Sequence, residues 1–256
     1  MDGSVARRFL LGLTPWLGVI AIWYAVRWSG FVNPGLIPAP HLVAVKFVEL
    51  LFNEGLLWDV FASTRRVLFG VLLGIAAAVP VGFLLGWYRN ARTFADPMIN
   101  FFRALPPIAL IPLVIVYFGV DETAKLVILF YASFFSGVIV MYEGVSQITP
   151  LYIRVAHTLG ANEWEIFRRV IIPLTVPHIL TALRVALGVA WATLVASELI
   201  AAQRGLGAMI QNASTYFLLD VIYVGIICIG FIALLMDLVL RRISARLLVW
   251  QERAVA

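Results

Sequence analysis

The sequence is poor in charge, cysteine, histidine and lysine. Asp, Glu, Lys and Arg make up 13% of its 256 residues, about half of the usual share of roughly 25%. A single cysteine excludes a disulfide scaffold, and three histidines leave little material for a metal site. The only lysines, Lys46 and Lys125, do not follow a glycine-rich phosphate loop. We therefore predict no catalytic site, metal site or bound cofactor in this chain.

Apolar residues are abundant instead. They form 62% of the chain, and the mean hydropathy is +0.98, which a soluble domain of this length could not bury. Six apolar runs are each near the ~20 residues that a bilayer requires. They are Phe9 to Val26, Val67 to Tyr88, Phe101 to Val120, Leu126 to Tyr142, Leu174 to Ala202 and Val221 to Leu240. The predicted class is an all-α, multi-pass membrane protein with six transmembrane helices.

The first run resembles a secretory signal, but it is longer than the usual apolar core and no small-x-small cleavage site follows it. We interpret it as a retained span. With a cytoplasmic N-terminus, the inside segments hold Arg7, Arg8, Arg89, Arg92, Arg103, Arg154, Arg168, Arg169, Arg241, Arg242, Arg246 and Arg253. The outside segments hold Arg27, Lys46, Arg65, Arg66, Lys125 and Arg204. This bias predicts that both termini are cytoplasmic, with Arg65 and Arg66 as exceptions.

The basic excess, a formal charge of +5, does not indicate a nucleic-acid partner, because no basic stripe with interleaved aromatic residues is present. The bilayer is the expected partner. Between the first two spans, Leu42, Val45 and Val48 recur at helical spacing. They predict a short amphipathic helix, which either lies at the outer membrane interface or packs on the other spans.

The second span has a small residue at every fourth position. These residues are Gly70, Gly74, Ala78, Gly82 and Gly86. Such a stripe lets another helix backbone approach closely. The pattern therefore predicts a tight helix–helix contact along the whole span, although it does not identify the second helix.

The third and fifth spans carry the candidate residues for a translocation path. Pro106 and Pro107 interrupt the third span just after Arg103, and broken helices of this kind often line transport routes. Arg184 lies within the fifth span, where a charge needs a partner or water. Glu198 lies near the outer end of the fifth span, where it either lines the path or caps an outer loop.

The segment between the fourth and fifth spans, LYIRVAHTLGANEWEIFRRVIIP, contains the signals of two short helices. Gly160 is placed to end the first helix by adopting positive φ. Asn162 and Glu165 have the spacing of a capping box for a second helix. Trp164 and Phe167 are predicted to lie on the second helix, which we expect Pro173 to terminate before the fifth span.

This segment resembles the coupling loop of ABC-importer permeases, whose pattern is Glu-Ala-Ala, three residues, Gly, nine residues, Ile, one residue, Leu-Pro. Ala156, Gly160 and Pro173 match in register. Arg154 replaces the glutamate of the pattern. The stretches RALPPIALIPLVIVYFGVDETAK and ELIAAQRGLGAMIQ are similar to permeases of the nitrate, sulfonate and taurine group, and the resemblance covers roughly residues 34 to 250.

The resemblance implies the type I importer fold and a multi-pass permease of the bacterial inner membrane. It implies a second permease chain, which we expect to be identical, two ATPase subunits that bind ATP and Mg²⁺, and an external solute-binding protein. It also implies that the loop docks on the ATPase. The residues expected to couple are Arg154, Ala156, His157, Thr158, Leu159, Gly160, Ala161, Trp164, Phe167 and Pro173. The residues expected along the path are Arg103, Pro106, Pro107, Arg184 and Glu198.

The predicted organisation is a single permease domain over residues 1–256. It comprises an N-terminal span with an external segment (1–62), a core of five spans (63–240) that includes the coupling loop (150–173), and a cytoplasmic tail (241–256). The predicted function is ATP-driven import of a small anionic solute, such as a sulfonate, taurine or nitrate. The alternative is an ion-coupled secondary transporter, which usually buries acidic groups near the midplane.

Overall fold

The chain is helical in a computed structural model that describes residues 3–30, 33 and 35–249. The helices are α1 (Gly3–Trp28), α2 (Pro40–Asn53), α3 (Leu56–Trp87), α4 (Arg89–Ala104), α5 (Pro107–Phe118), α6 (Glu122–Ser146), α7 (Pro150–Thr158), α8 (Glu163–Ile166), α9 (Ile172–Ala201), α10 (Leu206–Thr215) and α11 (Leu219–Leu247). A π-helical segment, Phe167–Ile171, joins α8 to α9. Residues 250–256, the end of the predicted tail, lie outside the described residues.

Four helical stretches of the described chain are long and apolar enough to cross a membrane: α3, α6, Glu163–Ile200 and α11. Helices α4 and α5 meet at 89° and provide a fifth crossing if the pair is taken as one broken span. These five elements correspond to the second through sixth predicted runs. The first run folds into α1, which is not among these candidates, so the predicted total of six spans is not confirmed.

The predicted small-residue stripe of α3 packs against α6. A Cβ atom built on Gly74 would lie 2.6 Å from the Cβ of Ser133, and one built on Gly86 would lie 2.6 Å from the Cβ of Val145. Between these two pairs, Gly82 faces Met141. The residue numbers of the contacts therefore rise together, by equal amounts, along α3 and α6. Helices α3 and α6 therefore run parallel, with backbones close enough to require glycine.

Because α3 and α6 run parallel, the chain between them must return along the bundle, and α4 makes most of this return. The guanidinium of Arg92 lies 4.7 Å from the ring centroid of Tyr142, and ten residues later the Phe102 ring stacks on Phe135, with centroids 5.7 Å apart. Helix α4 thus lies antiparallel along α6. The predicted third run begins at Phe101, whereas the broken helix pair begins at Arg89, because the amphipathic α4 lacks a continuous apolar run.

The helices place two ends of the bundle, which we call the Glu122 end and the Ser146 end after the two termini of α6. Helix α9 begins at the Ser146 end and reaches the Glu122 end, where Glu198 meets Arg66 of α3. The predicted helix forms as α2, but Leu42, Val45 and Val48, on which the prediction rested, are 47%, 66% and 52% exposed. Val43 and Leu50 are buried instead, in a cluster with residues of α11, so α2 packs on the other helices through a different face.

Candidate functional site

At the Ser146 end, α7 ends as its sequence predicts. Gly160 has φ +81°, a conformation that glycine adopts without a steric penalty. The amide of Gly160 donates to the carbonyl of His157 at 3.0 Å, and the amide of Ala161 donates to the carbonyl of Ala156 at 3.1 Å. These two bonds form a Schellman motif, so matching residues of the loop pattern fix the turn after α7.

The predicted capping box at α8 is also confirmed. The amide of Glu165 donates to Oδ1 of Asn162 at 3.0 Å, and the amide of Asn162 donates to Oε2 of Glu165 at 3.2 Å. Because these bonds satisfy donors that a helix start leaves free, the short α8 begins at a defined residue. The turn between α7 and α8 is therefore set by local chemistry on both sides.

The α7–α8 pair presents apolar side chains to solvent. Leu159 is 81% exposed and Trp164 is 66% exposed. The Trp164 ring stacks on Phe167 with centroids 5.7 Å apart, and Phe167 meets Phe83 of α3 edge to face at 5.6 Å. This chain of rings anchors the exposed tryptophan to α3. Of the other predicted coupling residues, Arg154 and Thr158 are exposed on α7.

Pro173 does not terminate the second coupling helix, so that prediction is wrong. Residues from Glu163 to Ile200 form one continuous helix of 38 residues. Proline clashes with the carbonyl four residues earlier in a regular α-helix. The π-helical turn just before Pro173 relieves this conflict, since the amide of Ile172 bonds five residues back to the carbonyl of Phe167.

The predicted break in the third span is confirmed and borders a cavity. Leu105 and Pro106 separate α4 from α5. The Tyr131 hydroxyl of α6 donates to the carbonyl of Phe102, an acceptor that the end of α4 leaves available. Beside this break lies a cavity of about 410 Å³. Its lining includes Arg103, Pro107, Tyr131, Ser136 and Glu143, together with Val185 and Val189 of α9.

Glu198, predicted on the same path, lies instead in a buried ionic network at the Glu122 end. The guanidinium of Arg66 donates to Glu198 at 2.5 Å and to both carboxylate oxygens of Glu122 at 2.6 and 2.7 Å. Arg66 is 5% exposed and Glu198 is 1% exposed. The network joins α3, α6 and α9, and sequence reasoning missed it because its members lie far apart along the chain.

The same network caps the N-terminus of α10, as the loop-capping interpretation of Glu198 anticipated. The amide of Gly207 donates to Glu198 at 2.9 Å, that of Leu206 to the Ser63 hydroxyl at 2.9 Å, and that of Gly205 to Asp59 at 2.9 Å. Three side chains from neighbouring spans thus satisfy donors that α10 itself leaves free. They fix α10 across the Glu122 end of the bundle.

The C-terminus of α10 departs from the usual residue preference. The amides of Phe217 and Leu218 bond to the carbonyls of Ser214 and Ala213 at 3.3 and 2.8 Å, which is a Schellman motif. Its left-handed position is occupied by Phe217, with φ +55°, where glycine is preferred. The Phe217 side chain is 83% exposed, so no packing contact explains this choice.

Arg184 has a partner that the sequence did not reveal. Its Nε donates to Oδ1 of Asp237 on α11 at 2.7 Å, and Arg241 donates to Oδ2 of the same carboxylate at 2.7 Å. Arg184 directly precedes the cavity residue Val185 in the chain, but its guanidinium is bound to α11. Within the described part of the chain, no group of three or more His, Cys, Asp or Glu residues could hold a metal ion.

Comparison with known proteins identifies the family. Residues 70–249 match the model of the "Binding-protein-dependent transport system inner membrane component". A "Probable ABC transporter permease protein" of Brucella abortus is 49% identical over 232 residues, which cover 91% of this chain and 92% of the relative. The "Taurine transport system permease protein TauC" of Escherichia coli is 35% identical over 251 residues, which cover 96% and 91%.

A solved structure of the MetNI methionine ABC transporter supports the fold. One of its chains matches with a TM-score of 0.63 over 75% of this chain and 95% of that chain, at 20% sequence identity. The predicted type I importer architecture is therefore confirmed. The family match and the permease relatives exclude an ion-coupled secondary transporter. ATP hydrolysis belongs to a separate subunit in this family. The chain belongs to the binding-protein-dependent transport system inner membrane components and is the permease subunit of an ABC importer.

Proposed function

We propose that two copies of this chain form the membrane path of an importer for a small anionic solute. Two ATPase subunits bind ATP and Mg²⁺ on one side, and a solute-binding protein delivers the solute on the other. The relative named as a taurine transport permease supports a sulfonate as the solute class. We further propose that residues 1–256 act as one permease domain.

The Ser146 end is the cytoplasmic end in this proposal. The excess of arginine in the segments assigned to the inside supports this orientation, and it places both termini in the cytoplasm. Arg66 was an exception to that bias, but it is buried and paired with two carboxylates. Its position therefore reflects the ionic network rather than membrane topology.

The observation that carries the proposal is the exposed turn between α7 and α8. Leu159, just after α7, and Trp164, near the start of α8, project from this turn. An aromatic side chain that projects from a defined turn is a typical interface hot spot. Residues 150–173 thus form the ATPase contact, and movement of this contact reaches the spans through Phe167 and the continuous helix of α8 and α9. Of the proposed path residues, Arg103 lies near the end of α4, Pro107 begins α5, and Pro106 lies in the break between these two helices.

Replacement of Trp164 tests this contact. We expect Trp164→Ala to reduce the affinity for the ATPase subunit about thirtyfold, since truncation of a hot-spot residue costs roughly 2 kcal/mol. The measurement is the amount of ATPase subunit that co-purifies with the tagged permease over a titration of the ATPase.

Trp58→Ala provides the matched control. Trp58 is 65% exposed, whereas Trp164 is 66% exposed, but Trp58 lies near the start of α3 at the opposite end of the bundle. Its replacement should leave co-purification unchanged. Equal ATPase recovery with Trp164→Ala and the native chain would overturn the assignment of residues 150–173.

A further inference from the structure

Helix α4 has two distinct faces along its length. Its polar residues recur at intervals of three and four and therefore share one face. They are Arg89, Arg92, Asp96, Asn100 and Arg103. Phe94, Met98 and Phe101 share another face and are 83%, 58% and 61% exposed. In a bilayer, exposed apolar residues can face lipid, whereas polar groups must face protein or a water-filled cavity.

Arg103 lies part-way along the bundle axis rather than at its end, and its side chain is exposed. The preceding residue, Phe102, is held by the Tyr131 hydroxyl, and Tyr131 is nine residues from the start of α6 at Glu122. At a rise of about 1.5 Å per residue, that is roughly 13 Å from the Glu122 end. The α-helical part of α6 continues for about 22 Å beyond Tyr131 to Ser146.

The guanidinium of Arg103 makes no hydrogen bond or ion pair with any of the residues described by the structure. By contrast, Arg66 and Arg184 are paired with carboxylates, and Arg92 lies over the Tyr142 ring. A charge at this depth requires a partner or water. The cavity that Arg103 lines is where water or a solute is placed to supply this partner.

Among the donors named in the cavity lining, the guanidinium of Arg103 has N–H groups that are not already used in hydrogen bonds. The Tyr131 hydroxyl donates to the Phe102 carbonyl, and the Ser136 hydroxyl donates to the Ala132 carbonyl at 2.8 Å, so both hydroxyl protons are already used. Arg103 retains its planar set of N–H groups, which suits oxyanions. Glu143 lines the cavity seven residues beyond Ser136 along α6, so anions are favoured only at the Arg103 side.

We propose that this cavity is an anion-binding station on the translocation path and that Arg103 selects for solutes with a sulfonate or carboxylate group. The bound group accepts hydrogen bonds from the guanidinium, and the apolar wall of Val185 and Val189 receives the rest of the solute. This inference rests on the proposed import function and assigns its solute selectivity to a single side chain.

Charge-selective cysteine labelling tests the station without knowledge of the solute. Ser136→Cys is introduced into a Cys228→Ala background, in membrane vesicles that contain the complete transporter. The probes are methanethiosulfonates that carry either a sulfonate or a trimethylammonium group. We expect the sulfonate probe to react about tenfold faster than the cationic probe, after both rates are normalised to those with free cysteine.

Arg103→Gln should abolish this preference, whereas Arg103→Lys should retain most of it. Arg184→Gln is the matched control, because Arg184 directly precedes the cavity residue Val185 in the chain but has its charge already paired with Asp237. It should leave the preference unchanged. Val189→Cys reports from the opposite wall if Ser136→Cys does not fold.

Two outcomes would overturn the proposal. One is that neither probe reacts with Val189→Cys or with Ser136→Cys, whether position 103 is arginine or glutamine in the Ser136→Cys chain. That result would mean that water does not reach the cavity. The other is a probe preference that persists in Arg103→Gln. Because labelling does not depend on ATPase recovery, failure of this proposal is distinguishable from failure of the Trp164 experiment.

Discussion

Arg66 and Arg103 lie in two regions of the bundle that differ in how they surround an arginine: Arg66 is buried, whereas Arg103 is exposed. Arg66 is enclosed between α3, α6 and α9, and two carboxylates neutralise it. Arg103 borders an open cavity, and none of the described residues accepts its hydrogen bonds. A guanidinium whose hydrogen bonds go to protein carboxylates fixes the positions of helices. A guanidinium without such acceptors is available to bind a transported solute.

The largest expected effect is a difference in the free energy of unfolding between alanine variants of these two arginines. Arg66→Ala leaves Glu198 buried without its counter-charge, and breaking such a pair costs about 3–5 kcal/mol. Arg103→Ala should change the free energy of unfolding by no more than roughly 0.5 kcal/mol, since Arg103 is exposed to the cavity. The measurement is the thermal unfolding midpoint of the purified permease in detergent.

Arg66→Lys keeps the charge but loses the paired hydrogen bonds to Glu122, so it should unfold between the native chain and Arg66→Ala. This intermediate variant keeps the test informative if Arg66→Ala yields little folded protein. Similar midpoints for Arg66→Ala and Arg103→Ala would remove the contrast between the two regions.

The second prediction concerns space rather than charge. A Cβ on Gly74 would meet the Cβ of Ser133 at 2.6 Å and the backbone oxygen of Phe130 at 3.0 Å. Gly74→Ala should therefore destabilise the α3–α6 side of the bundle by about 1–3 kcal/mol. The readout is again the unfolding midpoint.

Gly188 on α9 is the control, because a Cβ there would meet nothing within 4 Å. Gly188→Ala should be neutral or stabilise by up to about 1 kcal/mol, as expected for a helix interior. If the two alanine variants unfolded at the same temperature, the α3–α6 contact would not be as tightly packed as its geometry indicates.

The smallest predicted effect has the opposite sign and concerns α10, which the Arg66 network holds. Phe217→Gly removes the side chain from a left-handed residue and should stabilise the chain by roughly 1 kcal/mol. Tyr216→Gly, one residue earlier at φ −102°, should not stabilise it. A lower midpoint for Phe217→Gly would show that the exposed ring makes a stabilising contact in the assembled protein.

Features that depend on near neighbours in the chain could be predicted from sequence. Gly160 and the pair Asn162 and Glu165 act within a few residues, so their roles followed from spacing alone. The small-residue stripe of α3 predicted a close helix contact but not its partner, because many helices could fit it. The family resemblance added the architecture that local patterns do not encode.

Features that depend on tertiary contacts could not be predicted. The partners of Arg66 and Arg184 lie on other helices, and nothing in the local sequence specifies which carboxylate they meet. The third apolar run did not include most of α4, because the polar residues on one face of α4 interrupt a continuous run of apolar residues. Pro173 was assigned the role of a helix end because a π-helical turn leaves no clear composition signal.

The uninterrupted helix from Glu163 to Ile200 has a mechanical consequence. Its 38 residues extend about 57 Å at 1.5 Å per residue, with Trp164 near one tip and Glu198 near the other. If the helix moves as one body, a tilt of about 5° at its Trp164 end displaces its Glu198 end by about 5 Å. In the proposed function, the length of this helix therefore sets how far the N-terminus of α10 moves when the ATPase contact moves.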